Sequence, residues 1–555
     1  MGELDTSAPA DAYLAACKPV LGRALSFLDA EATSPSKGSF DRTWWCWKFS
    51  DFSAPRFQEG VYSLAWLYTS PKAPDAARGN ERLLRQAASA IGFWSGLQHG
   101  DGSFDEAYPF ERSLAATAFT TFYVAGGIER IRGALDAVAL EKGLQSVERA
   151  ARWLTRNDEF HGVLSNHLAA AAAALQVAGD ILQTDRFAAA RDRFLARIYD
   201  NQDREEGWFR EYGGADPGYQ SHGMFYLAEI WRRTGNVELL ERLRRGCEFL
   251  SWFAHPDGTM GGEYASRGTK FAFPAAFEIL SAESEAASAI AGHLRGCLRR
   301  GRGVGVAQMD AWNMFPMLNN CLFAAEAASD IQPRQLPWQA ADSSRVFRRA
   351  GLALIRKADR VAAIGLATGG VVKMWDAHSN ALIYEDAGYA LHERRKWFSS
   401  QGVSEWQDGR NASFVIRSRF EGLPNARFDP WRFLLFRMFT LTIGRWQPIA
   451  RGLKQLLVSV LIRRRASHSA SLERMVRLDN DGTLTVSDRL QNLAANPIPI
   501  ARHVAFHMGS SRYSDMLDWF GPQIECSLPD VNIPDGERTT VIAAFVSQKK
   551  TRTSE

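Results

Sequence analysis

The stretch Ile331-Gln332-Pro333-Arg334-Gln335-Leu336-Pro337 divides the chain into two kinds of sequence. Before it, from residue 10 to about 330, apolar residues recur with helical spacing, as in 55–69, 79–98, 111–129, 165–182, 217–234, 236–253 and 313–328. The connections are short and rich in Gly, Asp and Pro, such as His99-Gly100-Asp101-Gly102 and His255-Pro256-Asp257-Gly258. After it, β-branched or alternating runs take over: Val346 to Ile364, Gly370 to Trp375, Asn380 to Tyr389, Ala412 to Arg419, Glu473 to Leu478, Thr483 to Leu490, Ile500 to His507 and Thr539 to Val546. Asn480-Asp481-Gly482 is a hairpin signal between two of them. Roughly a dozen helices in sequential hairpins predict an (α/α) toroid rather than a four-helix bundle. An open solenoid is the alternative, since no strict repeat is visible. The expected fold is α+β and multidomain, with a toroid over 1–335 and a C-terminal antiparallel β-sandwich over 336–555.

One segment interrupts the strands. Residues 428–465, within an insert of about 425–468, include Trp431-Arg432-Phe433-Leu434-Leu435-Phe436-Arg437-Met438-Phe439 and Leu453-Lys454-Gln455-Leu456-Leu457-Val458, then Leu461 and Arg463-Arg464-Arg465. They read as two basic amphipathic helices. One reading is a peripheral membrane contact with anionic lipid, which would expose Leu434, Phe436, Leu457 and Leu461 and depend on the three arginines. The other is a helical hairpin packed on the neighbouring domain with its arginines snorkelling outward.

Composition excludes several classes. The chain has 555 residues, 46% hydrophobic and 23% charged, as in an ordinary globular protein. Lys and Arg number 66 against 62 Asp and Glu, too small an excess for nucleic acid, though a mildly basic balance suits an acidic polymer. The six cysteines, Cys17, Cys46, Cys247, Cys297, Cys321 and Cys526, are scattered without a CxxC, as expected of free thiols in a reducing compartment. Met1 to Ala10 shows no signal-peptide pattern, and no run of about 18 apolar residues exists. The expected location is cytoplasmic, peripheral at an inner membrane if the insert binds lipid.

Two short segments carry polar, proton-handling groups where a helix begins. Ser165-Asn166-His167 opens an Ala/Leu-rich helix. Gly218-Tyr219-Gln220-Ser221-His222 follows the turn Glu211-Tyr212-Gly213-Gly214-Ala215-Asp216-Pro217, whose proline suits a first helical position. Tyr219, His222 and Tyr226 fall on one helix face. An amide, two imidazoles and a phenol are suited to removing a carbon-bound proton beside a carboxylate. Hydrogen-bond donors aimed at that carboxylate stabilise the enolate-like transition state. A tyrosine can serve as base and then acid if positive charge stands near it, with His222, Arg210 and Arg267 as candidates. Taken singly, His167 reads as a capping or core residue and Tyr219 as a packing aromatic. Together with Asn166 and His222, they favour chemistry.

The order of these motifs, an Asn-His on one toroid helix, a Tyr on a later one, then a sandwich, resembles the heparinase II/III-like polysaccharide lyases. Phe347-Arg348-Arg349-Ala350-Gly351-Leu352 is similar to that superfamily's opening sandwich strand, and Asp376-Ala377-His378-Ser379-Asn380 to its His-containing strand. The resemblance covers about residues 40 to 490. It implies a lyase cleaving a uronic-acid-containing polysaccharide by β-elimination. Asn166 would neutralise the uronate carboxylate, His167 would assist or act as base, Tyr219 would carry the proton, and His378 would close the site from the sandwich. A uronyl C5-epimerase shares the first step, and a non-catalytic glycan-binding or assembly protein shares the fold. The acidic polysaccharide is the expected partner. The lack of a signal pattern points to making or trimming an exopolysaccharide inside the cell.

Further candidates lie after the loop Gly258-Thr259-Met260-Gly261-Gly262. Tyr264 could stack on a sugar, and Arg267 and Lys270 could meet carboxylates, the alternative being a solvated turn. Gln98-His99-Gly100-Asp101-Gly102 reads as a structural turn. Trp44, Trp45, Trp47, Phe49 and Phe52 read as a domain clamp rather than a sugar platform. No cofactor is expected, and no metal: some relatives hold zinc through sandwich His and Asp residues, but the position two after His378 is Asn380, and His392 and Asp386 match no strong zinc spacing.

Overall fold

A computed structural model describes residues 8–159, 165–211, 213–332, 334–409, 412–423, 429–458, 467–493, 496–500 and 536–542, the side chains of 451, 457, 458 and 536–542 excepted. Helices come first: α1 Asp11–Ser26, α2 Arg42–Trp47, α3 Gly60–Thr69, α4 Glu81–Leu97, α5 Leu114–Ile131, α6 Ala137–Arg156, α7 Ser165–Leu182, α8 Ala188–Asp200, α9 Pro217–Thr234, α10 Val237–Ser251, α11 Ala275–Ile279, α12 Glu285–Arg299 and α13 Ala311–Ala327. A two-stranded hairpin, β1 Arg210–Glu211 with β2 Gly214–Ala215, precedes α9.

The helices close into a ring. α3, α5, α7, α9, α11 and α13 pack each on the next, and α13 returns to α3. α4, α6, α8, α10 and α12 back them from outside, and α1 packs on α12 and α13. The open solenoid is thereby excluded. Sequence explains which helices line the centre. α5 is buried over nearly its whole length, and α7 carries Ala169 to Ala174 fully buried, so backbones approach closely on every side. α6 and α10 are amphipathic and keep a polar face to solvent. Because each inner helix is followed by an outer one running back, the N-terminal ends of the inner helices gather at one end of the ring.

The strands follow: β3 Ser344–Phe347, β4 Leu352–Lys357, β5 Arg360–Gly365, β6 Val371–Asp376, β7 Leu382–Asp386, β8 Tyr389–Glu393, β9 Lys396–Ser399, β10 Ser404–Asp408, β11 Ser413–Gly422, β12 Ser467–Leu478, β13 Leu484–Gln491, β14 Ile498–Pro499 and β15 Gly536–Ile542. β3 to β7 form one antiparallel meander. The second sheet runs β14-β8-β9-β11-β12-β13-β15, with β10 also on β11. Residues 501–507 of the run read from Ile500 lie outside the described residues. Ala353, Ile355, Ala362, Ile364, Val372 and Met374 face Phe414, Ile416, Val476, Leu478, Leu484 and Val486 across the sandwich. The opposite face of the meander, with Leu352, Leu354, Val361, Ala363, Val371 and Trp375, joins the toroid core. Burial on both faces explains why β5 is apolar from Val361 to Ile364 rather than alternating.

Two expectations are refined. The run read as one strand from Asn380 to Tyr389 is two, β7 and β8, in different sheets. The chain turns between them at Gly388, where φ is +85° and a Cβ would meet Ser400 Oγ at 2.3 Å. The insert emerges between β11 and β12 as α14 Pro430–Leu441 and α15 Gln447–Val458. It does not stand apart: Phe436 packs on Tyr108, Arg445 lies over Phe110, Gln447 Nε2 donates to Asp101, and Lys454 pairs with Glu111 at 3.0 Å.

Candidate active site

The inner-helix N-terminal end brings the expected residues together. α9 starts where Asp216, its N-cap, accepts from the Tyr219 N–H at 3.0 Å, with Pro217 as first residue. Asn166 sits one residue into α7. Its backbone N–H faces Glu211 Oε1 at 3.4 Å, and its side chain is buried with no hydrogen-bond partner for Oδ1. Gly223 of α9 lies directly against it: a Cβ there would stand 3.3 Å from Asn166 Cα, a tight contact that the bare backbone avoids where α7 and α9 approach. A buried amide with an unmatched end is a costly arrangement unless a ligand completes it.

Tyr219 is half-buried, and the Arg267 guanidinium lies 3.4 Å from its ring centroid. Arg267 also pairs with Glu211 at 3.4 Å, and its N–H donates to Asp216 at 2.9 Å. Glu211 thus touches both the Asn166 backbone and the cation on Tyr219. Burial pushes the Glu211 carboxyl up to about 7, against the pull of Arg267.

His167 is partly open to solvent, and its Nδ1 lies 2.8 Å from Glu159 Oε2. With Nδ1 engaged by the carboxylate, Nε2 is the ring nitrogen that Glu159 leaves for another partner. His222 differs from expectation. It is buried, stacked on Phe273 at 4.0 Å and on Phe119 at 5.6 Å, with Nε2 3.1 Å from the Tyr226 hydroxyl. Burial, reinforced by Arg56, His167 and Arg267, holds its pKa well below the usual histidine range. It is a neutral residue that positions the face of α9 rather than a group open to substrate.

Three other expected residues stand elsewhere. Tyr264 is fully buried, with its hydroxyl 2.8 Å from His255 Nε2 and its carbonyl accepting from Thr368 Oγ1, so it rivets toroid to sandwich and offers no stacking face. Arg210 points to solvent because β1 alternates and turns Glu211 inward; its carbonyl accepts from Ser165 Oγ. His378 does not close the site. Asp376 caps the tight turn after β6 by accepting from the His378 and Ser379 N–H groups, and this throws the imidazole outward, 75% exposed, onto Asp359 at 2.9 Å. Lys270, a weaker candidate, pairs with Glu263, which also binds Lys373 of β6 at 2.5 Å, a buried interdomain cluster rather than a sugar contact.

Sequence reasoning missed several residues. Arg56 and Glu59, in a short helical turn before α3, form a buried ion pair; Arg56 also reaches Glu106 at 3.0 Å and stacks over Phe119 at 4.4 Å. Burial pushes Glu59 up to about 7 despite Arg56. Burial alone would raise Glu106, but Arg56, His167, Ser113 and Lys454 hold it below the usual range. Lys454 of α15 reaches in from the sandwich insert. Burial would lower its pKa, yet Glu111, Glu159 and Glu106 raise it, so it stays charged. The cleft beside His167 is lined by Trp153, Asn157 and Glu159 from the toroid and by Gln447, Ala450 and Lys454 from the insert. From the sandwich side it is Lys454, not His378, that reaches the wall of this cleft, beside Glu159, the partner of His167. The only sequence signal for Arg56, Glu106 and Lys454 was their charge. Among the described residues, no cluster of three or more His, Cys, Asp or Glu could hold a metal ion.

Residues 26–274, which contain the cluster except Lys454 and run from before α2 to the start of α11, match the family model described as ulvan lyase N-terminal domain. Solved structures share the fold. A Paenibacillus xanthan lyase superposes with a TM-score of 0.55 at 9% identity, covering 86% of this chain and 45% of its own. The chondroitin AC lyase of Streptomyces coelicolor A3, solved with chondroitin sulphate, gives 0.55 at 11% identity, covering 88% and 67%. A heparinase III gives 0.50 at 11%, covering 90% and 74%. The chain therefore spans less than half the length of the xanthan lyase. No curated protein matches it in sequence. The expected fold holds: a helical toroid followed by a β-sandwich, the architecture shared with these lyases. Its helical part is similar to the N-terminal domain of ulvan lyases.

Proposed function

We propose that this protein cleaves a uronic-acid-containing polysaccharide by β-elimination. One observation carries the reading: Glu211 joins the Asn166 backbone to the Arg267 cation on Tyr219, so the unmatched amide and the phenol share one end of the ring. The amide of Asn166, which can present either end, would hydrogen-bond the substrate carboxylate and stabilise charge that develops when the C5 proton leaves. Tyr219, as phenolate, would take that proton. The electron pair forms the C4–C5 double bond, the C4–O bond breaks, and Tyr219 returns its proton to the departing glycosidic oxygen. His167, with Nδ1 held by Glu159 and Nε2 left for another partner, is placed to assist on the carboxylate side or to act as base on the opposite epimer.

The site carries cations for an acidic polymer, Arg56, Arg267 and Lys454, each held against carboxylates: Glu106, Glu111 and Glu159, together with Glu59 and Glu211, which are pushed up to about 7. A place in making or trimming an exopolysaccharide is supported by the mildly basic balance and the basic insert. The test is incubation with a panel of uronate polymers while following ultraviolet absorbance of an unsaturated product. Exchange of the C5 proton with deuterated solvent without cleavage would make the protein an epimerase. Binding with neither would make it a non-catalytic glycan-binding protein.

A further inference from the structure

The insert leaves one face of α14 without a partner. Phe436, Arg437 and Thr440 turn inward: Phe436 onto Tyr108, Arg437 onto Asp51 at 2.8 Å and toward the Phe52 ring, and Thr440 into full burial. Asp51 and Phe52 thereby do the clamping expected of the Trp44–Phe52 segment. Trp431, Leu434, Leu435, Met438 and Leu441 fall at i, i+3, i+4, i+7 and i+10, a single stripe on the outer side. All five are exposed, Trp431 at 76% and Leu435 at 67%. Ile443, Trp446 and Leu456 continue the exposed apolar surface through the turn and along α15. Trp47 and Phe49, next in the chain to the clamp on α14, are exposed as well. A helix whose inner side is packed and whose outer side is Trp, Leu and Met lacks the polar face that water requires.

Charge names the occupant. Residues 429–458 hold five basic residues against Asp429 alone; Arg437 and Lys454 are committed inward to Asp51 and Glu111, which leaves Arg432 and Arg445 exposed beside the stripe. Arg463, Arg464 and Arg465, together with Leu461 and the Leu457 side chain, lie outside the described residues and are not needed for the argument. No helix among the described residues is long and apolar enough to cross a membrane, so contact would be along a surface. Tryptophans at both ends of the stripe suit the headgroup level of a bilayer. We propose that the outer face of α14 and the turn into α15 dock on an anionic lipid bilayer, with the stripe in the headgroup–acyl boundary and the arginines against phosphate. The inner face of the same hairpin walls the cleft through Gln447 and Lys454, so docking sets the site's mouth beside the membrane.

The experiment uses the full chain with vesicles of phosphatidylcholine alone and of phosphatidylcholine with phosphatidylglycerol in equal parts, read by flotation. The protein is expected to float with the anionic vesicles, and less so at high salt. The triple variant Trp431→Ser, Leu435→Ser, Trp446→Ser changes only exposed positions. Its partitioning is expected to fall by about tenfold or more, since apolar burial supplies much of interfacial binding. No flotation of the wild-type chain, or equal flotation of the variant, overturns the proposal. A wild-type dimer in light scattering that the variant renders monomeric, without vesicle binding, assigns the face to a second copy instead. Flotation needs no polymer, so it fails or succeeds independently of the lyase reading.

Discussion

The guanidinium of Arg267 lies 3.4 Å from the centroid of the Tyr219 ring, and the same guanidinium pairs with Glu211. A cation held on a phenol ring favours the phenolate form that would take the C5 proton. Tyr219→Phe keeps the stacked ring and removes only the hydroxyl. Turnover should fall by about 10² or more while polymer affinity changes little, because the lost group acts in the transition state. Unchanged turnover by the absorbance assay would remove Tyr219 from the chemistry.

Asn166→Ala removes the buried amide at the head of α7. Its loss should lower turnover by roughly 10²–10³, comparable to losing one oxyanion-hole donor, and should also weaken binding. Stability should hardly suffer, since Oδ1 has no partner in the protein to lose. A large drop in melting temperature with proportionate loss of activity would instead make the residue structural.

His378 and Lys454 exchange roles relative to the sequence reading. His378→Ala breaks an exposed ion pair, so stability should change by less than about 0.5 kcal/mol and kcat/KM should stay within error of wild type. Lys454→Met removes a cation from the cleft wall, and KM for an anionic polymer should rise by about tenfold with a much smaller change in kcat. Steady-state kinetics on both variants separates the two positions, and a His378→Ala defect would restore the original assignment.

Buried neutral histidines predict acid sensitivity of the interdomain seam. Burial lowers His255 to about 3, while its unfolded value is near 6.5. Between those values the unfolded chain binds more protons, so this residue's contribution to stability falls as pH drops through about 6.5. At pH 5 the loss from His255 is about 2 kcal/mol. His255→Gln has its own penalty at pH 8, where it loses ring packing on Trp375 at 4.2 Å. The gap between wild type and variant in denaturant unfolding should narrow by about 2 kcal/mol on moving to pH 5. A gap independent of pH would mean that His255 titrates alike in both states.

Much was legible before any coordinates. Helical periodicity up to Ala327 and strand patterning from Ser344 follow from local propensity and from which faces must be buried, so the order of toroid and sandwich could be read directly. The hairpin at Asn480-Asp481-Gly482 was readable for the same reason: Gly482 has φ +85°, and Leu478 pairs with Leu484 across it. Asn166, His167 and Tyr219 were visible because polar groups at the head of apolar helices stand out against their surroundings.

The sequence by itself determined the kinds of element, their order, and the chemistry available at the heads of α7 and α9. Only the tertiary structure decided ring closure of α13 on α3, the burial of His222 and Tyr264, and the outward turn of His378. It alone carried Arg56, Glu106 and Lys454 to the site from positions about 50 to 400 residues apart in the chain, a separation that local propensity does not encode. The physical reason is range. Periodicity and capping depend on neighbours within a few residues, whereas burial, pairing and the direction in which a side chain points depend on which distant surface arrives opposite it.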